Sequence, residues 1–365
     1  MRVVIAGGGT GGHLFPGIAI AEEFLKRDQN TAVIFIGTKR GIESRLLANL
    51  GYTLEEIDIE GIKGRGVKAF IKAVCQIPKS MMQSRRIMKK FHPDVVVGVG
   101  GYASGPAVLV AHFMGLPTVI AEQNAVSGVT NKILGRFVDK IFVTYEQTRE
   151  FFPPAKVVVS GNPVRSAVAF REGFRPSGKG YWQLLVFGGS QGAEAINQCM
   201  ADMIPRLKAV KDKIRILHQT GARQKEEMAR RYAEHGINAE VKDFILDMAR
   251  AYEEADLIVC RAGATSLAEI TAAGRPAVLI PYPFAADDHQ LKNAQALAAQ
   301  GAAVVIRESE LNEERLFDAM MSLLKDEEKR SRMEACSKKM GRPEAAATIV
   351  NHCEALIEQR RRAAA

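Results

Sequence analysis

A chain of 365 residues, 47% apolar and 25% charged, has material for two soluble cores and is long for a single domain. A net charge of +9 calls for an anionic partner, such as a phosphorylated ligand or a membrane surface. Nucleic acid is set aside, because the chain has one Trp and no basic run interleaved with aromatics. Five scattered cysteines (Cys75, Cys199, Cys260, Cys336 and Cys353) lack metal-ligand spacing and read as reduced thiols.

The chain opens MRVVIAGGGTGGH. The apolar run Val3–Ala6 predicts a strand that begins at once, with no leader peptide ahead of it. A turn of five glycines around Thr10 follows, then His13 and a helical pattern carrying Leu14, Ile18, Ala21 and Leu25 on one face. Pro16 suits the first turn of that helix. Further apolar runs predict strands at Ala32–Ile36, Val95–Val99, Thr118–Ala121, Ile141–Thr144 and Val157–Ser160. A second set falls at Leu184–Phe187, Ile214–Leu217, Leu257–Cys260, Ala277–Ile280 and Ala303–Ile306. Continuous apolar strands alternating with helical patterns indicate parallel sheets covered on both faces. The apolar segment 105–121 is interrupted by Pro106, His112, Gly115 and Pro117 and is short for a membrane span, so it reads as a helix followed by a buried strand.

The two halves resemble each other. GGTGG at 8–12 has a counterpart in GGSQG at 188–192, Asp94 and Asp256 open similar runs, and GLPTVI at 115–120 matches GRPAVL at 274–279, all in the same order. The expectation is α/β, with two doubly wound Rossmann-like domains facing a central cleft: residues 1–163 and 164–341, with a C-terminal helix over 342–365 packing back on the first.

Gly7, Gly9 and Gly12 fit a dinucleotide fingerprint, but the second strand ends in Thr38, Lys39 and Arg40 rather than in an acid. That pattern leaves an NADP-dependent oxidoreductase open as an alternative, and a non-catalytic nucleotide-sugar-binding protein as another. His13, behind a phosphate-type loop, is the candidate general base, because a helix N-terminus disfavours positive charge on the ring. Ser190, with the amides of Gln191 and Gly192, suits a diphosphate, and Arg165 in GNPVR suits a clamp on it. Ser266 and Glu269 are spaced as a capping box, and Glu269 is also placed to hold a ribose. Gln290 and Asn293, three apart on a helix start, are expected to share a face turned to sugar hydroxyls. Asp287, Asp288 and His289 are too few for a metal site, and no metal is expected.

Residues 61–93 hold nine lysines and arginines and no acid. Phe70, Val74, Ile77, Met81, Met88 and Phe91 form a stripe on that segment, interrupted near Pro78. Two readings follow, a core-facing helix with a solvated basic side or a surface that docks on anionic lipid; the absence of acids favours the second, through Lys79, Arg85, Arg86, Lys89 and Lys90.

Taken together, GGGTGGHLFPGIAIAEEF, GVGGYASGP, AEQNAVSGVTNK, GNPVR, FGGSQGA, HQTG and RAGATSLAEI resemble the MurG family of bacterial peptidoglycan glycosyltransferases, over residues 3 to about 300. The resemblance implies a GT-B fold and inverting transfer of GlcNAc from UDP-GlcNAc to the MurNAc 4-hydroxyl of lipid I, giving lipid II, with no cofactor. It makes the first domain the acceptor side and the second the donor side. It makes His13 the base and puts Thr10, Gly11 and Gly12 along the sugar and acceptor. It assigns Asn124 to the sugar or acceptor, Arg165 and Ser190 to the diphosphate, and the Ile245 backbone to uracil. Ala264, Thr265, Ser266 and Glu269 would hold the nucleoside, Gln290 the GlcNAc hydroxyls, and Tyr102 and Ser104 the acceptor pyrophosphate. Implied partners are UDP-GlcNAc, lipid I, the anionic cytoplasmic face of the bacterial membrane and other cell-wall synthesis proteins. Two positions depart from the family pattern: Ala121 where His is frequent, and Ser127 where Pro is common.

Overall fold

In the computed structural model, the described residues are 1–8, 11–38, 43–59, 66–168, 180–189 and 192–364. They form two compact units, Met1–Ser166 with Glu344–Ala365, and Ala167–Pro343.

The first unit is built on a seven-stranded parallel sheet. Its strands are β1 (Arg2–Ala6), β2 (Ala32–Gly37), β3 (Thr53–Glu56), β4 (Val95–Gly98), β5 (Thr118–Glu122), β6 (Lys140–Val143) and β7 (Val157–Val159). They are arranged β3-β2-β1-β4-β5-β6-β7, so the chain reverses its direction of winding between β1 and β4. Ligands of such sheets bind beyond the carboxyl ends of the strands at that point. Alternation along β1 sends Val3 and Ile5 to one face and Val4 and Ala6 to the other. The Val3 face is covered by the helix Gly11–Arg27 and by the C-terminal helix Ala345–Ala364, which contributes Ile349, Val350, Cys353 and Ile357 to the core. The edge of that helix is held by ion pairs from Arg360 to Asp139 and from Arg361 to Asp94, and by Glu354 to Arg27. Ala121, at the position where the family often has His, is buried in this core.

The Val4 face is covered by the helices Gly66–Phe91 and Ser104–Phe113. Ser80, Ser84 and Met88, one turn apart, are the buried stripe of the first of these. Met81 and Phe91 pack against the same core, so the apolar side from Met81 onward faces inward. The side chains of Phe70 and Val74 lie outside the described residues. Lys79, Arg85, Arg86, Lys89 and Lys90 are all exposed, and Lys79 is paired with Asp58 at 2.8 Å.

The second unit repeats the plan with six parallel strands. They are β8 (Trp182–Phe187), β9 (Ile214–Gln219), β10 (Ala239–Lys242), β11 (Leu257–Cys260), β12 (Ala277–Leu279) and β13 (Ala303–Val305), in the order β10-β9-β8-β11-β12-β13. Its reversal lies between β8 and β11. One face is filled by Leu184, Val186, Ile196, Met200, Leu207, Met228, Tyr232 and residues of the helix Glu313–Leu324. A buried polar cluster sits among them. His218 is fully buried, with Nδ1 3.0 Å from the Tyr232 hydroxyl and Nε2 3.1 Å from Asn197 Oδ1. Asn197 Nδ2 donates to the Thr220 carbonyl, which makes its oxygen the acceptor for His218. Burial pushes the His218 imidazole down to about 3.

Candidate active site

At the carboxyl end of the first sheet two glycine turns interlock. Gly7 and Gly8 follow β1, and Gly100 and Gly101 follow β4, all at positive φ. A Cβ on Gly7 would lie 2.6 Å from the Gly100 carbonyl, and one on Gly101 would collide with the Gly8 carbonyl. Only glycine permits this approach. Gly11, Gly12 and His13 form the first turn of the Gly11–Arg27 helix. The His13 ring is half-buried above Gly100, where a Cβ would come within 2.8 Å of Nδ1. That nitrogen is 3.2 Å from Oε1 of Gln123, a residue to which the sequence reading gave no role. Thr10 lies outside the described residues.

The loop after β5 is organised by Glu122. Its buried carboxylate accepts hydrogen bonds from the Asn124 and Gly128 amides, the Asn124 and Asn131 carboxamides and the Ser127 hydroxyl. Five donors offset the cost of taking the charge out of water and fix the loop that carries Asn124. The Ser127 hydroxyl is one of those donors, so the departure from proline there has a physical use. Tyr102 is exposed beside the second glycine turn. Ser104 opens the Ser104–Phe113 helix, but its hydroxyl is fully buried and has no partner among the described residues. Arg165 belongs to the first unit and stacks on Phe15, with the guanidinium carbon 4.6 Å from the ring centroid. Ser166, next to it, bonds Glu22 through both amide and hydroxyl, which ties GNPVRS to the helix that carries His13.

In the second unit, the turn after β8 is equally tight. A Cβ on Gly192 would collide with the Thr220 carbonyl, and Gly192 is at φ +77°. Ser190 and Gln191 lie outside the described residues, as do Lys39 and Arg40. Gln219, another residue without an expected role, bridges two segments. Its Nε2 donates to the Gly189 carbonyl at 2.6 Å, and its Oε1 accepts from the Ile245 amide at 2.8 Å. The phosphate-type turn and the FILDM segment are thereby held by one side chain.

The helix Ala264–Ala272 starts after Gly263, which makes no side-chain cap. Ser266 is its third residue, so the expected capping box with Glu269 does not form. The Glu269 carboxylate is instead buried and accepts from the Tyr252 hydroxyl at 3.0 Å. Gln290 Oε1 accepts from the Tyr282 amide at 3.0 Å, just after two exposed aspartates, Asp287 and Asp288, in the left-handed region. Asn293 does not share an exposed face with Gln290, because it is fully buried.

Two family models match the chain: the N-terminal domain of glycosyltransferase family 28 over residues 3–143 and its C-terminal domain over 183–349. The chain is 52% identical over 98% of its length to the UDP-N-acetylglucosamine–N-acetylmuramyl-(pentapeptide) pyrophosphoryl-undecaprenol N-acetylglucosamine transferase of Syntrophus aciditrophicus, covering 99% of that protein. It is 48% identical over 98% of its length to the enzyme of the same name from Myxococcus xanthus, covering 94% of it. The crystal structure of Acinetobacter baumannii MurG superposes with a TM-score of 0.77 at 34% identity, covering 97% of this chain and 99% of that one. With both sheets doubly wound and both family domains in place, the chain belongs to glycosyltransferase family 28 and, within it, to the MurG family of N-acetylglucosamine transferases.

Proposed function

We propose that the chain transfers GlcNAc from UDP-GlcNAc to the MurNAc 4-hydroxyl of undecaprenyl-pyrophosphoryl-MurNAc-pentapeptide, in a single displacement with inversion at C1. The acceptor oxygen attacks C1 as its proton passes to His13, and the bond from C1 to the UDP oxygen breaks with its electron pair going to UDP. The observation that carries this reading is the His13 imidazole, half-buried at the winding reversal of the first sheet with one nitrogen engaged by Gln123. Gly11, Gly12 and Asn124 are assigned to the sugar and acceptor by the family resemblance, as is Thr10, which lies outside the described residues. Tyr102 offers an exposed hydroxyl to the acceptor, whereas Ser104 needs its helix start to shift before its buried hydroxyl can reach one.

On the donor side, Glu269, whose buried carboxylate also accepts from Tyr252, holds the ribose. Ala264, Thr265 and Ser266 present the uncapped start of their helix to the nucleoside. The Ile245 amide is occupied by Gln219, so the Ile245 carbonyl is the group that accepts N3–H of uracil. Gln290 keeps its Nε2 for GlcNAc hydroxyls. The family resemblance assigns the charge developing on the departing UDP to Arg165 and to Ser190, the latter outside the described residues, the role a preorganised electrostatic site plays in other transfers.

No helix among the described residues is long and apolar enough to cross a membrane. The exposed row Arg85, Arg86, Lys89 and Lys90, with Lys79 in its pair with Asp58, supports peripheral docking on anionic lipid at the cytoplasmic face, where the lipid-linked acceptor resides.

The deciding experiment measures His13→Ala and Glu269→Ala with labelled UDP-GlcNAc and a lipid I analogue. His13→Ala is expected to lose about 10²–10⁴-fold in kcat, and Glu269→Ala to raise the donor KM. Wild-type turnover in both variants rejects the site assignments. Thermal stabilisation by NADP and not by UDP favours the oxidoreductase alternative instead.

A further inference from the structure

Gln123 is 1% exposed, and its carboxamide is held at both ends. Nε2 donates to the Val99 carbonyl at 3.1 Å and to the Ala121 carbonyl at 3.2 Å. Only the NH2 end of an amide can face two carbonyl oxygens, since a flipped carboxamide sets three acceptors against one another. The backbone at the ends of β4 and β5 therefore decides which way this side chain points. Its oxygen is left facing His13 Nδ1 at 3.2 Å. An amide oxygen has no proton to give, so the proton in that contact belongs to Nδ1. A neutral imidazole carries one N–H, and Nε2 is then the nitrogen with the lone pair. Among the described residues nothing is hydrogen-bonded to Nε2. Gly100 fixes the same pose from below: a Cβ there would lie 2.8 Å from Nδ1, 2.9 Å from Cε1 and 3.6 Å from Gln123 Oε1.

We propose that Gln123 is a positioning residue that locks His13 in the Nδ1–H tautomer, so that Nε2 is the atom that takes the acceptor proton. The inference rests on His13 being the base, and Gln123 acts through that ring without touching substrate. A neutral amide in this place differs from the carboxylate that commonly backs a basic histidine. It sets the tautomer but supplies no counter-charge to the imidazolium formed during transfer, so the proton passes on to solvent or phosphate once the product has formed.

The test has one measurement without a variant and two with. Nitrogen-15 spectra of imidazole-labelled full-length protein at neutral pH are expected to show protonated Nδ1 and unprotonated Nε2 for His13, assigned by the loss of its signals in His13→Ala. Gln123→Met, which keeps the volume and removes the acceptor, is expected to mix the tautomers and lower kcat about tenfold with the donor KM held within twofold. Gln123→Glu places a carboxylate beside the ring and is expected to move the acid limb of the kcat profile to higher pH by about one unit. A wild-type ring protonated at Nε2 overturns the proposal, as does a folded Gln123→Met with wild-type kcat and a Gln123→Glu with an unmoved profile. If His13→Ala itself keeps full turnover, it is the assignment of His13 as base that fails. If His13→Ala is inactive while both Gln123 variants behave as wild type, the role of Gln123 alone falls.

Discussion

Gly100 concentrates two constraints in one residue. It lies at φ +89°, where an L side chain is strained, and it sits directly beneath His13. Gly100→Ala is expected to push the ring by about an ångström and to lower kcat about 10²-fold; UDP binding by calorimetry should be unchanged, since Ile245 and Glu269, the residues proposed for uracil and ribose, are in the other unit. His218 gives a different kind of prediction. Its folded value of about 3 lies below the ordinary histidine value, so the unfolded chain binds the extra proton first as the solution is acidified. Stability from the neutral, buried ring is complete above about pH 6.5 and is lost as pH falls toward 3, at up to about 1.4 kcal/mol per unit. Urea unfolding of the second unit between pH 7 and pH 5 should show this slope, and His218→Gln should flatten it.

At the scale of elements, the C-terminal helix separates packing from charge. Ile349 and Val350 are fully buried, and Ile349→Ala is expected to cost about 2–5 kcal/mol. Arg360 and Arg361 are more than half exposed, and replacing both with Ala is expected to cost no more than about 1 kcal/mol. Chemical denaturation followed in the first unit distinguishes the two. The strands show where pattern reading works. All eleven apolar runs are strands; nine lie inside the sheets, where a parallel strand buried on both faces has to be continuously apolar, and two, β7 and β13, are half-exposed edges. The two strands without an expectation, β3 (TLEE) and β10 (AEVK), are the equivalent edges of their sheets, half-exposed and polar enough to pass for loop. Ser266 with Glu269 carried the spacing of a capping box, yet the helix is entered three residues earlier, at Gly263, and the carboxylate goes to Tyr252. Asn293 had helical spacing from Gln290 but points into the core. His13 was legible from a strand, a glycine turn and a helix start. Gln123 was not, because its meaning depends on a ring 110 residues away and on two carbonyls that only the folded sheet brings together.

Across the whole molecule, charge is unevenly spent. The net charge of +9 matches the nine cations of residues 61–93, and those described there are exposed on one side of a helix whose other side is core. Reversing Arg85, Arg86, Lys89 and Lys90 to Glu is expected to abolish binding to anionic vesicles, at about 1 kcal/mol per basic residue removed, and to leave turnover on a water-soluble acceptor analogue intact. Flotation with anionic and zwitterionic vesicles checks both halves; undiminished binding by the reversed protein rejects docking through this face.

The return of residues 344–365 to the first unit also sets a timetable for biosynthesis. The strands β1 and β2 and the helix between them emerge from the ribosome well ahead of residues 344–365, so one face of their sheet stays without Ile349, Val350, Cys353 and Ile357 until those positions are translated. At about 5–20 residues per second, the intervening unit takes on the order of ten seconds or more to synthesise and can close before the unit that precedes it. A nascent chain stalled anywhere after the second unit is complete but short of Ile349 would carry a finished C-terminal body and an open N-terminal sheet, a species that trigger-type chaperones and proteases should recognise and the released protein should not present.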